Sequence, residues 1–307
     1  MSTILVSHPA CRRHEMGPAH PECFQRVDVI TDMLMTLRVL DMLAQFDAPA
    51  ATREELLRVH EAEYLDFLES IIPESGYRII DLDTAMNPRT LQAARFAAGS
   101  VVFAVDQVMH GKTRNAFCNV RPPGHHATAD TAMGFCFYNN VAVGAAHAIA
   151  EHGAGRVAII DFDVHHGNGT DAIFSGNDKV RFFSLYERGL FPLDGSTSLA
   201  GGGAYVELPP GTGGDEMRQA VEQGWMPGLD AFQPDLVMVS AGFDAHVQDD
   251  ISSLRFSDAD YEWLTGLVLE TAEKHAGGRL VSVLEGGYDL DSLARCAGAH
   301  IKQLSGL

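Results

Sequence analysis

The 307-residue chain predicts an α/β fold, a mostly parallel sheet in a single domain with helices on both faces, three layers in all. Three observations carry this expectation. Short Val-, Ile- and Leu-rich runs recur between stretches with helical periodicity. Those runs are apolar throughout, as strands buried on both faces are. The residues best suited to chemistry follow the runs directly, and in open α/β sheets ligands bind beyond the carboxyl ends of the strands.

Ile4, Leu5, Val6 and Ser7 read as the first strand, and a polar loop over 11–21 follows with His14, Gly17 and His20. Phe24, Val27, Ile30, Leu34, Leu37 and Leu40 recur at three- and four-residue spacings, the core-facing stripe of a helix. Shorter helices fit 53–59 and 62–71. Asn87 as N-cap and Pro88 in the first turn open a helix reaching about His110. Strands are expected over 116–120, 157–163, 180–186, 236–241 and 280–284, and helices near 141–152, 216–229, 258–275 and 292–304. Met and aromatic residues on the helical faces are read as core filling.

No Pro-, Ser- or Gly-rich linker divides the chain, so one domain over 1–307 is expected. The hydrophobic fraction of 46% supports a sizeable core. The net charge of −19 argues against nucleic acid as a ligand, because phosphate binding needs clustered Lys and Arg, and it is compatible with cationic substrates. Cys11, Cys23, Cys118, Cys136 and Cys296 are odd in number and irregular in spacing, so reduced thiols are expected. The N-terminus lacks a basic segment followed by a long apolar one, and no stretch is long enough to span a membrane, which points to a cytoplasmic protein.

The richest segment is Asp161-Phe162-Asp163-Val164-His165-His166, following the apolar run Val157 to Ile160. On an extended chain Asp163 and His165 share one side, so a carboxylate and an imidazole can converge on one metal ion. The third ligand is expected at Asp244, following the run that begins at Leu236. Two carboxylates and one imidazole leave a coordination position open, as catalytic rather than structural zinc sites do. His125, His126, Gly134, Phe135 and the segment Glu285-Gly286-Gly287-Tyr288 lie in similar post-strand or glycine-containing loops and fit the same site.

In these motifs the chain resembles the zinc-dependent histone deacetylase family of the arginase/deacetylase superfamily. The matching text is RPPGHHA at 121–127, GFC at 134–136, DFDVHHGNGT at 161–170, SAGFDAH at 240–246 and EGGY at 285–288. Asn168 in place of an aspartate is similar to the class II branch, which includes bacterial amidohydrolases and acetylpolyamine deacetylases. The resemblance implies an arginase/deacetylase-like fold and a metal-dependent deacetylase. Asp163, His165 and Asp244 would hold Zn²⁺, although this ligand set also accepts Fe²⁺. His126 would act as general base and acid, His125 as its electrostatic partner, Asp161 and Asn168 as the residues orienting the two imidazoles, and Tyr288 as the oxyanion donor. A hinge at the two glycines would swing the tyrosine inward.

The resemblance further implies K⁺ sites, one using Asp161, Asp163, His165, Ser184 and Leu185 and another using backbone near Phe174 and Val180. Tyr186 departs from the histidine common at that point. Phe135 and Phe191 match the aromatic pair walling an acyl-lysine tunnel, with Gly134 offering its carbonyl to the substrate. Arg26 matches an arginine lining an inner channel, and Asp83 is a candidate for contacting substrate at the rim.

Four functions compete: lysine deacetylase, acetylpolyamine deacetylase, an arginase-like ureohydrolase and a non-catalytic binding protein. The ureohydrolase needs a second metal and more ligands than the motifs supply. The non-catalytic reading conflicts with the presence of every implied catalytic group. The two deacetylases differ at the rim. Polyamine-specific relatives can carry a glutamate where this chain has Ile251, and an apolar rim favours acyl-lysine in a peptide, or a longer acyl chain, over a free polycation; the expected partner is an acetylated lysine peptide or a small acetylated amine. Asp249 and Asp250 adjoin that position and offer the opposite attraction. A homo-oligomer that narrows the tunnel mouth remains open as a further source of selectivity.

Overall fold

The computed structural model describes residues 3–192 and 204–307. At its centre is an eight-stranded sheet of order β2-β1-β5-β10-β9-β6-β7-β8. Its strands are β1 (Ile4–Ser7), β2 (Ala44–Asp47), β5 (Asn115–Cys118), β6 (Val157–Asp161), β7 (Val180–Glu187), β8 (Ala204–Leu208), β9 (Leu236–Ala241) and β10 (Leu280–Leu284). Every neighbouring pair is parallel. A small antiparallel ribbon, β3 (Arg78–Ile79) with β4 (Ala85–Met86), stands apart.

Helices cover both faces because successive side chains of a strand point to opposite sides. Ile159, Met238, Val281 and Val283 enter one core with Ala97, Val101 and Val105 of α4 (Thr90–Met109) and Val141 and Ala145 of α5 (Asn140–His152). Their neighbours Ala158, Ile160, Val237, Val239, Leu280 and Leu284 enter the other. There they meet Ile30 and Leu34 of α1 (Gln25–Thr36), Val221 of α7 (Gly214–Gly224), Leu264 and Val268 of α9 (Asp258–His275) and Ile301 of α10 (Leu290–Ser305). Each fully buried Leu, Ile or Val contributes roughly 1.5–3 kcal/mol, so a charge at Val239 or Ile160 would break the sheet. The remaining helices are α2 (Arg53–Leu56), α3 (Ala62–Ser70), α6 (Asn168–Phe174) and α8 (Met226–Phe232). Among the described residues, no helix is long and apolar enough to cross a membrane.

Several boundaries differ from the sequence expectation. The strand expected over 157–163 ends at Asp161. The helix expected from Pro88 starts at Thr90, because Asn87 Oδ1 accepts the Arg89 N–H and the Thr90 hydroxyl and thereby shapes a turn before the helix. The single helix expected over 216–229 divides at Trp225 into α7 and α8, with Pro227 in the first turn of the second. Strand β2, whose four residues are all exposed, carries no apolar run and escapes pattern reading. The five cysteines are unpaired, as expected.

Candidate active site

Strands β9 and β10, last in the chain, lie between β5 and β6 in the sheet. The carboxyl ends of β5, β10, β9 and β6 therefore stand side by side. The four loops leaving them carry His125 and His126, Tyr288, Asp244, and Asp163 with His165.

Asp163 and His165 lie in the bend beyond Asp161, so the bend, not an extended strand, makes them converge. His165 Nδ1 is 3.0 Å from Asp163 Oδ1 and 3.2 Å from Asp244 Oδ2. Asp163 Oδ2 accepts the Gly286 N–H at 2.8 Å, and Asp244 Oδ1 accepts the Val164 N–H at 2.9 Å. Asp244 Oδ2, although buried, receives no hydrogen bond. Burial, reinforced by Asp163, pushes the Asp244 carboxyl up to about 6. Two carboxylates and an imidazole aimed at one point, with one oxygen orphaned, fit a divalent cation.

Two other groups among the described residues gather similar atoms. In one, the Asp106 carboxylate is bonded by both His147 and His152. In the other, Arg295 and His246 bond Asp258. Neither leaves its carboxylate oxygen orphaned.

The two histidines of the 121–127 motif have different partners. His125 Nδ1 donates to Asp161 Oδ2 at 2.9 Å, and its Nε2 is 3.8 Å from Asp163 Oδ1. Burial opposes its charge, but Asp163 and Asp161 raise it to about 10. His126 Nδ1 pairs with the Asn168 side-chain oxygen at 2.7 Å, which leaves Nε2 as the proton-accepting atom. Burial, then the neighbouring His125 and His165, hold His126 well below the usual histidine value. One imidazole is thus held charged and the other neutral.

Tyr288 is half-buried, and burial keeps its phenol protonated, well above its ordinary value, although Arg26 works the other way. Arg26 is fully buried, donates Nε to Gly287 O at 2.6 Å and Nη2 to Glu285 O at 2.5 Å, and lies 4.9 Å from the Tyr288 ring centroid. A Cβ on Gly286 would come within 2.1 Å of Asp244 Oδ2 and 2.5 Å of Asp163 Oδ2. Close approach to the two carboxylates leaves no room for a side chain at that glycine.

Phe191 meets His126 edge to face at 4.9 Å, while Phe135 meets His20 at 4.6 Å and Tyr288 at 5.8 Å. Gly134, at φ +54°, has room for no side chain: a Cβ would lie 2.5 Å from His126 and 2.9 Å from Phe191. The Phe135 N–H donates to Thr84 Oγ1, whose hydroxyl donates to Asp83, so the exposed Asp83 is tied to the aromatic wall. Asp161 and Ser184 are register partners across β6 and β7, with Leu185 next along β7. Phe174 ends α6, and Val180 begins β7.

At the rim, Ile251 is half-buried and packs against the core. Asp249 corrects the sequence expectation. It is buried, and its carboxylate accepts the N–H groups of Tyr288, Asp289 and Ile251, so it is committed to the protein. Asp250 stays exposed.

Sequence reasoning missed the scaffold behind the histidines. Glu285 Oε2 accepts the Gly124 N–H at 2.7 Å and the His125 N–H at 3.2 Å, and burial raises its carboxyl to about 7. Glu22 forms a bidentate pair with Arg121, both oxygens at 2.5 Å, and also meets Arg26 at 3.1 Å. Arg121 and Glu285 stood inside recognisable motifs, but Glu22 offered no local signal because its partner Arg121 is far away in sequence.

The comparisons agree with this geometry. A family model described as the histone deacetylase domain matches residues 20–304. The histone deacetylase-like amidohydrolase of Pseudomonas aeruginosa is 38% identical over 98% of this chain and 80% of its own length. A probable deacetylase of Archaeoglobus fulgidus is 36% identical over 95% of this chain and 82% of its own length. The crystal structure of the HDA15 HD domain superposes with a TM-score of 0.90 at 35% identity, covering 99% of this chain and 90% of that one. The eight-stranded parallel sheet with its two helical layers is thus an arginase/deacetylase-like fold, and the chain belongs to the histone deacetylase family, as a hydrolase that removes acetyl groups.

Proposed function

We propose that residues 1–307 form one catalytic domain that hydrolyses the acyl amide of acyl-lysine side chains, with Asp163, His165 and Asp244 holding one divalent metal. The observation that carries this reading is the differential pairing of the histidines, His125 with Asp161 and His126 with Asn168, beside the three converging ligands. Zinc, usual in the family, or ferrous iron would polarise the amide carbonyl and acidify water there.

His126 accepts the water's proton at Nε2 and returns it to the leaving amine. His125, held as an imidazolium by Asp161, stabilises negative charge developing at the carbonyl oxygen. Tyr288 donates its hydroxyl to the same oxygen, a contact worth roughly 3 kcal/mol in comparable oxyanion sites. Phe135 and Phe191 flank the acyl-lysine chain and exclude water, the Gly134 carbonyl accepts the substrate N–H, and Asp83 meets the substrate at the rim. Potassium would be held by Asp161, Asp163, His165, Ser184 and Leu185, which offer the oxygen ligands a hard cation prefers.

Acetylpolyamine is the second reading, and exposed Asp250 favours it. Two observations weigh against it: Ile251 presents no charge, and the Asp249 carboxylate is already occupied by three backbone N–H groups. The test is kcat/KM of the metal-loaded protein for an acetyl-lysine peptide, free acetyl-lysine and acetylspermidine, with Tyr288→Phe as the chemistry control. Peptide preference is expected. A tenfold polyamine preference, about 1.4 kcal/mol in transition-state binding, would overturn the acyl-lysine assignment.

A further inference from the structure

A cavity of about 640 Å³ opens at the first turn of α4. Its walls are Leu91, Phe96, Ile72 and Pro88, with Arg89 and Arg95 at its edge. Tyr138, a residue only 1% exposed, also lines the cavity. Burial, then Glu69, pushes the Tyr138 phenol up to about 12, so it is a proton donor at neutral pH.

The electrostatics favour an anion. Neither Arg89 nor Arg95 has a carboxylate partner among the described residues, in a chain with 41 acidic and 22 basic side chains. Arg95 uses Nε on the Ala51 carbonyl, 3.2 Å away, which holds the guanidinium in place and leaves its terminal amino groups. The 20-residue helix α4 has no acidic residue in its first turn, so its positive end is uncompensated there. Glu69 is the one carboxylate among the lining residues, against two arginines; Arg53, 3.9 Å from it, pairs more closely with Asp66 at 2.5 Å.

We propose that this cavity is a binding site for an organic carboxylate with a fused-ring or medium-chain apolar body. The carboxylate lies against Arg89, Arg95 and the Tyr138 hydroxyl, and the body lies against Leu91, Phe96 and Ile72. An inorganic anion would leave the apolar walls unused, and a neutral apolar molecule would leave the arginines and the hydroxyl unused.

The probe pair is 2-naphthoate and 2-naphthamide, titrated calorimetrically into the metal-loaded full chain. The expected result is naphthoate binding about tenfold or more tighter than naphthamide, about 1.4 kcal/mol. Arg89→Gln with Arg95→Gln removes that preference, Tyr138→Phe weakens naphthoate several-fold, and all three leave kcat/KM for an acetyl-lysine peptide within about twofold. Should the double variant melt early, Arg89→Gln alone, on an exposed side chain, is expected to lower naphthoate affinity about threefold. Equal binding of the two probes, absence of naphthoate binding, or naphthoate affinity unchanged by the arginine substitutions overturns the assignment. The last outcome would put the carboxylate at the metal centre instead.

Discussion

One oxygen of the Asp249 carboxylate accepts the backbone N–H of Tyr288 at 2.6 Å and that of Asp289 at 3.0 Å. The loop that carries Asp244 thereby fixes the loop that carries the tyrosine. Asp249→Ala is expected to lower kcat about 10- to 100-fold, as loss of such supporting contacts does at metal sites, with little change in KM or metal content. Asp249→Asn, which keeps an acceptor oxygen, should retain more of the rate. Steady-state kinetics with metal analysis would decide, and loss of metal from the alanine variant would mean that Asp249 supports Asp244 rather than Tyr288.

Asn168→Asp places an anion 2.7 Å from His126 Nδ1, where a neutral amide now sits. The anion favours the imidazolium, so the His126 pKa rises. Because a base must be neutral to act, the acid limb of the kcat/KM profile should move upward by about one pH unit or more. An unmoved limb would show that another group controls it.

Asp244 Oδ2 is buried without a hydrogen bond, and a cation would relieve that cost. Zinc at about 100 times its dissociation constant should stabilise the chelator-treated protein by about 2.7 kcal/mol, read as a rise in Tm. Asp244→Ala should abolish the rise. A full rise in that variant would locate the zinc elsewhere, for instance at Asp106, His147 and His152.

His60 gives stability a pH dependence. It donates Nδ1–H to Thr128 O and accepts the Asn139 N–H at Nε2, and burial lowers its pKa to about 4. The unfolded chain takes up this proton near 6.5, whereas the folded protein resists until about 4. Stability is therefore full above pH 6.5 and lost as pH falls between those values, by on the order of 2 kcal/mol at pH 5. Buried His300, lowered to about 3, acts in the same direction. Urea midpoints at pH 7 and 5 should converge in His60→Gln relative to the unaltered protein. An identical acid loss in both would assign the effect to other groups.

The sheet's inner strands were legible because 157–160, 236–239 and 280–284 are almost wholly apolar, with Ser282 the one polar residue, and only a strand buried on both faces tolerates that. The edges were not. All four residues of β2 are exposed, so neither alternation nor an apolar run marks them. Asp163, His165, Asp244, the histidine pair and Tyr288 stood in the text because their motifs are local. Asp249 misled because a carboxylate beside a rim position reads as exposed until its backbone partners are known.

By itself the sequence determined the α/β class and the two carboxylates and one imidazole available for a metal, while the pairing of Asp161 and Asn168 with the two histidines came from the family resemblance of its motifs. Tertiary structure alone decided that β9 and β10 lie between β5 and β6, which sets Glu285 against His125 and Asp244 against His165. It also decided that Glu22, Arg26 and Arg121 form the buried ionic scaffold behind that loop. The physical reason is range: strand pairing and the burial of charge join residues distant along the chain, and neither leaves a mark on their immediate neighbours in sequence.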